Sequence, residues 1–240
     1  MNRLSHSVIL LLLLLVVAVR PAQSQKVLTA PVKKLTSHEP VYLKDREFVY
    51  AVKLYSKKGD FIKHDTLVFT CSLKDRHPEF GQTESIWRRK ADTMKDSTGV
   101  TENDTILWIH PYRSGDYRIL EFSPFPVLKY PLQAGERWNF DIKIGGEWGS
   151  KDLMEWQGIK LFKASYKLLG KESLSTKLGK LECYKVVAEG SSDFGKTQLV
   201  LFFNEKYGFV KLDYQNINQT SMQIELIDET FLNPVLQVAK

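Results

Sequence analysis

From Arg137 to Ile144 the chain alternates without error: Trp138, Phe140, Ile142 and Ile144 share one side, and Arg137, Asn139, Asp141 and Lys143 the other. A period of two sustained over such a run marks a strand with one face buried. Gly145-Gly146 then supplies a turn signal. The same pattern sets Phe48, Tyr50, Val52 and Leu54 on one face of 47–55, and Leu67, Phe69, Cys71 and Leu73 on one face of 66–73. Runs at 105–109, 117–122, 161–169, 181–188, 197–203, 209–214 and 221–227 are rich in Val, Ile, Phe, Tyr and Thr, which suit a pleated surface. Gly-containing turns such as Lys58-Gly59-Asp60, Leu178-Gly179-Lys180 and Tyr207-Gly208 punctuate them.

Short strands at hairpin spacing leave no room for the helices of a parallel α/β fold. The pattern predicts an all-β domain, an antiparallel curved sheet or open barrel (lipocalin-like or half-barrel) of about ten to twelve strands. Only 85–95 and 151–156 have any helical character, and either reads equally well as loop. Prolines at 124, 126 and 131 cannot donate to a sheet ladder, so that stretch is expected along an edge or over a barrel mouth.

The ends follow different rules. Arg3, the apolar run Val8–Val19 and Ala22-Gln23-Ser24 have the form of a secretory signal peptide over residues 1–24. The apolar run is well short of the ~20 residues that span a bilayer. Gln25 follows the expected cleavage site, so no cysteine is there to carry a lipid. Residues 25–40, polar and holding Pro31 and Pro40, are expected to be a flexible N-terminal arm. Residues 41–228 are expected to form a single all-β domain, and 229–240 a C-terminal tail. No transmembrane segment is expected after signal cleavage, and the destination is periplasmic or extracellular.

Composition narrows the chemistry. The 240 residues are 43% hydrophobic and 26% charged, with a net charge of +6, an ordinary globular balance. Loss of Arg3 and Arg20 with the signal takes +6 to +4. The basic clusters Lys33-Lys34, Lys57-Lys58 and Arg88-Arg89-Lys90 are dispersed, which argues against a nucleic-acid partner. Two cysteines, Cys71 and Cys183, are a candidate disulfide in an oxidising compartment, with two separate buried thiols as the alternative. They are too few for a thiolate zinc site, and the histidines show no ligand spacing, so no metal and no cofactor is expected. His77-Pro78 and His110-Pro111 read as turn punctuation. Hydrolase and nucleotide-binding signatures are missing. Asp and Glu are plentiful, and for a carboxylate pair Glu121, Glu136 and Glu147, which sit near aromatics, are the first to test, each expected to face outward. Asn103-Asp104-Thr105 and Asn218-Gln219-Thr220 match the glycosylation acceptor pattern, relevant only in a eukaryotic source.

The strings Glu121-Phe122-Ser123-Pro124-Phe125-Pro126, Pro131-Leu132-Gln133-Ala134-Gly135-Glu136-Arg137-Trp138 and Phe203-Asn204-Glu205-Lys206-Tyr207-Gly208-Phe209-Val210 resemble those of uncharacterised exported proteins of Bacteroidota, themselves distantly similar to the periplasmic DUF3108 group. Leu178-Gly179-Lys180-Leu181-Glu182-Cys183-Tyr184-Lys185-Val186 adds to the likeness. The resemblance implies a bacterial envelope setting and a curved or lipocalin-like sheet. It brings no catalytic residue.

Together these readings predict a non-enzymatic exported domain with a concave apolar face, lined by Phe125, Trp138, Phe140 and Phe202. The face would receive a hydrophobic small molecule, a lipid or an envelope component. The alternatives are an envelope assembly protein that docks through a sheet edge and, further off, a carboxylate-dependent hydrolase.

Overall fold

The computed structural model describes residues 38–91, 94–149 and 154–232. The expected signal peptide, residues 25–37 of the expected arm, residues 151–153 and residues 233–240 of the expected tail lie outside them. Among the described residues, no helix is long and apolar enough to cross a membrane.

Thirteen strands carry the fold: β1 (Arg46–Tyr55), β2 (Phe61–His77), β3 (Gln82–Arg89), β4 (Lys95–Glu102), β5 (Ile106–Ile109), β6 (Val127–Lys129), β7 (Arg137–Asn139), β8 (Ile142–Gly145), β9 (Ile159–Thr176), β10 (Gly179–Ser192), β11 (Gly195–Asn204), β12 (Gly208–Gln215) and β13 (Ser221–Phe231). Their order is β6-β5-β4-β3-β2-β1-β13-β12-β11-β10-β9-β7, with β8 also on β9. All these pairings are antiparallel. The result is an all-β, nearly closed antiparallel barrel of 12 strands. β7 and β8 continue one line along β9, because Trp138 faces Tyr166, Ile142 faces Phe162, and between them Phe140 N–H donates to Ala164 O at 2.9 Å. The alternation read from 137 to 144 is therefore one interrupted edge strand. Register shifts at Val49/Tyr50, Cys71/Asp75, Lys185/Val186 and Phe202/Phe203 bend the sheet, as bulges do.

The two ends of the sheet, β6 and β7, do not hydrogen-bond to each other. One tucks beneath the other. Leu107 and Ile109 of β5 face the core at 0% exposure, which turns Trp108 to the opposite face. Yet the Trp108 ring lies 5.8 Å from Phe140 and 6.4 Å from Phe125. Tyr166, on the inner face of β9, donates to Phe125 O at 2.9 Å, and Lys129 pairs with Glu136 at 3.2 Å. Side chains complete the barrel where the ladder stops.

Both mouths are stopped by the chain itself. At one end residues 110–126 cross the opening and sink inward: Trp87 Nε1 donates to His110 O at 2.8 Å, and Tyr117 Oη to Asp65 at 3.0 Å. Tyr117, Ile119, Leu120 and Phe122 are buried there. Residues 117–122, read as a strand from their pattern, are the 3-10 turns of Gly115–Phe122. With no neighbouring strand inside a barrel, a buried segment must satisfy its amides locally. At the other end Val41 and Tyr42 are buried, and the Tyr42 ring meets Phe48, Phe69 and Phe209. Phe209 N–H donates to Tyr42 Oη at 2.9 Å. The preceding Gly208 has φ +74°, and a Cβ on it would stand 2.6 Å from that oxygen.

Other expectations change. Residues 85–89 lie within β3, with Ser85 and Trp87 buried on one face, so neither helix nor loop describes them. β13 runs through Phe231, past the boundary set at 228, because Glu229, Thr230 and Phe231 pair with Phe48, Glu47 and Arg46. His38, assigned to the arm, is held by Glu102 and Tyr130. Cys71 and Cys183 are separate buried thiols. Four strands lie between β2 and β10, and by alternation Cys71 faces inward with Phe69 while Cys183 shares the outer side of Lys185. Burial pushes the Cys183 thiol up to about 11 and the Cys71 thiol higher still.

If residues 110–126 are part of the core, Leu120→Ala should lower the unfolding free energy by about 2–5 kcal/mol in a single cooperative transition. Urea melts followed by tryptophan fluorescence test this. A loss below about 0.5 kcal/mol, the range of surface substitutions, would place the segment outside the core.

Candidate functional site

The four residues expected to line an apolar face do not form one site. Phe125 is buried, and Trp138 and Phe140 are half-buried at the seam. Trp138 stacks on Tyr166 with centroids 5.4 Å apart and planes within 8°, while Phe140 and Phe125 flank Trp108. These three therefore hold the two sheet ends together. Phe202 lies elsewhere, opposite Lys185 and Lys211 on the outer face, with the two ammonium groups 5.4 and 5.8 Å from its ring centroid. The expected concave face exists, but the chain's own segments cover it.

Beneath the seam lies an acid–base pair that the sequence had placed at the surface. Glu121 was expected to point outward, yet its side chain is 5% exposed, since it belongs to the segment that closes the mouth. His110 Nε2 is 3.4 Å from Glu121 Oε1, and His110 Nδ1 is 2.9 Å from Pro111 O. That carbonyl can only accept, so Nδ1 carries the proton and Nε2 keeps a lone pair; Glu121 Oε1, though 3.4 Å away, has no hydrogen-bond partner among the described residues. Burial drives the histidine down to about 4 and the carboxyl up to about 7. Arg113 and Arg76 push the histidine further down, the Pro111 carbonyl and Asp96 oppose them, and Arg113 and Arg118 partly restore the ionised Glu121 while Asp96 disfavours it. Between these values the neutral forms coexist. The His-before-Pro dipeptide was the one sequence signal of a special backbone here. Glu136 and Glu147 lie with other partners: Glu136 pairs with Lys129, and the Glu147 carbonyl accepts from Arg118.

Besides clefts of 590 Å³ beside Lys143 and Trp156 and of 560 Å³ beside Ser165 and Gln215, a cleft opens at the opposite mouth. It has a volume of 480 Å³, with an apolar lining of Val41, Leu43, Tyr130, Phe203 and Phe231 and a polar lining that includes His38, Arg46 and Glu229. Arg46 is fixed, donating to Glu229 Oε2 at 3.0 Å, Val41 O at 3.0 Å and Lys206 O at 2.7 Å. Glu102 accepts the Val41 and Tyr42 amides, both at 2.8 Å, and lies 3.2 Å from His38 Nε2. The His38 ring stacks on Tyr130 at 4.0 Å. This leaves His38 Nδ1 and Tyr130 Oη buried with no partner among the described residues. Burial, with Glu102 and Glu205 nearby, raises the Tyr130 phenol above its ordinary value. Sequence reasoning missed this cleft. It came one residue close at Phe203, whose neighbour Phe202 was chosen, and alternation turns those two side chains to opposite faces.

No group of three or more His, Cys, Asp or Glu side chains is arranged to hold a metal ion among the described residues.

No family model matches the chain, and no curated protein does. Among solved structures, a protein of Parabacteroides distasonis described as a lipoprotein aligns with a TM-score of 0.47 and 12% identity, over 79% of this chain and 96% of its own. A Bacteroides fragilis protein, described as exported with a YmcC-like fold, gives 0.40 and 11% over 78% and 96%. The hypothetical lipoprotein YmcC of Escherichia coli gives 0.42 and 12% over 80% and 90%.

The pair under the seam has a pH signature. Between 4.5 and 7 native Glu121 keeps a proton that the unfolded chain has released, so its contribution to stability falls as pH rises to 7. Between 4 and 6.5 the unfolded chain holds a proton that native His110 lacks, so that contribution rises with pH. The two nearly cancel in wild type. Measured against wild type, Glu121→Gln should gain about 3 kcal/mol as pH climbs from 4.5 to 7, and His110→Asn should lose a similar amount from 4 to 6.5. Denaturant melts across that range check both signs, and parallel profiles would contradict the two opposed shifts.

Proposed function

We propose that this protein is an exported, non-enzymatic β-barrel, periplasmic in kind as the DUF3108 resemblance implies, that binds a small amphipathic molecule in the cleft between residues 38–46, Tyr130, Phe203 and Phe231. The observation that carries the reading is a 480 Å³ cleft with apolar walls whose lining includes His38 and Tyr130, each with a buried polar atom, Nδ1 and Oη, that has no partner among the described residues. Ligand sites of this size are mostly apolar, with a few convergent polar groups that fix orientation. A buried polar atom without a partner costs free energy that a ligand's hydrogen bond would recover.

The hydrophobic ligand expected from sequence thus moves from the concave face to the rim. Seam residues Phe125, Trp138 and Phe140 act through closure of the barrel. A non-catalytic role is supported by the burial of His110 and Glu121, the two side chains whose acidity is displaced toward neutral pairing. Docking of an envelope protein along a sheet edge has less support, since β6 and β7 offer short ladders and meet at the seam.

Titration with the apolar fluorophore N-phenylnaphthylamine tests the cleft. The probe should bind, and Leu43→Glu and Tyr130→Ala should each weaken it at least tenfold (about 1.4 kcal/mol or more). Trp138→Ala should cost stability and leave the affinity unchanged. Undiminished binding in both cleft variants, or loss confined to Trp138→Ala, would overturn the assignment.

A further inference from the structure

The mouth closed by residues 110–126 also carries the β1–β2, β3–β4, β10–β11 and β12–β13 turns and the β8–β9 connection, all brought to one end by the antiparallel order. Large apolar side chains project from two of these sites. Phe61 and Ile62 begin β2 at 56% and 51% exposure, and Ile159 and Leu161 begin β9 at 70% and 45%. Isolated exposed apolar residues are common on protein surfaces, and Leu43, Phe80, Leu169 and Leu232 are exposed elsewhere. Phe61, Ile62, Ile159 and Leu161 share one end with Met94 of the β3–β4 turn, and lysines surround them. Lys57 and Lys58 sit on the tip before Phe61, Lys90 and Lys95 flank the β3–β4 turn, and Lys196 is the second residue of β11. Lys63 and Lys160 are engaged with Asp116 and Asp193. Lys57, Lys58, Lys90, Lys95 and Lys196 have no ion pair among the described residues. Asp60, Glu147 and Glu155 share this end but are outnumbered by its lysines, whereas at the opposite mouth Glu39, Asp45, Glu205 and Glu229 are interleaved with Lys44, Arg46 and Lys206.

We propose that this cationic end docks on an anionic lipid surface, with Phe61, Ile62 and Ile159 entering the headgroup layer and the lysines above them meeting lipid phosphates. The separation of the anchors selects this occupant. A protein partner or a second copy needs a continuous complementary patch. A bilayer accepts separate apolar tips and rewards cations beside them. The rigid plug beneath, held by Arg118 through the Trp148 and Glu147 carbonyls at 3.1 and 2.9 Å, keeps the tips in position when the loops meet the membrane.

The test is flotation of the exported, processed protein with vesicles of phosphatidylcholine alone or containing phosphatidylglycerol. Association should require the anionic lipid and weaken as salt compresses the Debye length from about 10 Å to about 3 Å. The double variant Phe61→Ser/Ile62→Ser should bind at least tenfold more weakly, and Lys57→Glu/Lys58→Glu should lose the lipid selectivity. Both variants should keep the wild-type melting temperature, because all four residues are exposed. Equal binding to neutral vesicles, no binding to either, or undiminished binding by the Phe61/Ile62 variant would overturn the proposal. So would self-association in solution that the same substitutions abolish. The cleft probe reads the opposite mouth, so failure of one experiment leaves the other reading standing.

Discussion

A barrel of 12 strands encloses more space than its inward side chains fill. An eight-stranded barrel is just filled by such side chains, and wider ones hold water, ligand or a plug. In this protein the chain fills its own interior. Residues 110–126 enter one mouth and Val41 and Tyr42 the other, and between them the rings of Tyr50, Phe69, Trp87 and Phe122 pack with almost no exposure. The seam, the buried acid–base pair and the position of the open cleft follow from that need.

Because one stopper leaves β5 and returns into β6, it draws the sheet's end toward the interior, where β7 and β9 overlap it. Trp108, Phe125, Phe140 and the stacked Trp138–Tyr166 pair close that overlap. The same short edges leave little ladder for another chain, the usual protection of an exposed sheet margin. Burying the segment also carries His110 and Glu121 out of water. There, exchange of the ionised pair for a neutral one avoids the cost of two buried charges. The other stopper covers the core and still leaves a cleft above it. Its polar atoms bind mainly one another, with Arg46 and Glu102 each making several bonds. That rigidity suits a preformed binding site.

Strand content, the facing of most strands and the antiparallel class were legible because a half-buried strand writes its environment in a period of two. Trp138 to Ile144 illustrates this: the four apolar residues share the face of Phe162, Ala164 and Tyr166, their neighbours on β9. The prolines at 124, 126 and 131 correctly marked an edge and a mouth, because their missing N–H is a local fact. Residues 117–122 have the same apolar richness, but no partner strand meets them, and composition carries no record of a partner.

The sequence by itself determined which residues must leave water and that they would do so in strands, since burial and pleat are read one short segment at a time. Tertiary structure decided what each buried residue was for. Phe202 and Phe203 are adjacent and chemically identical, yet one is covered between two lysines at 5% exposure and the other lines the cleft. Glu121 looked like any surface acid until the segment it shares with His110 was carried inside the barrel. Those outcomes rest on sheet curvature, on how far one edge overlaps another, and on which segment fills the space that remains. All three are set by contacts between residues far apart in the chain, where local periodicity has no reach.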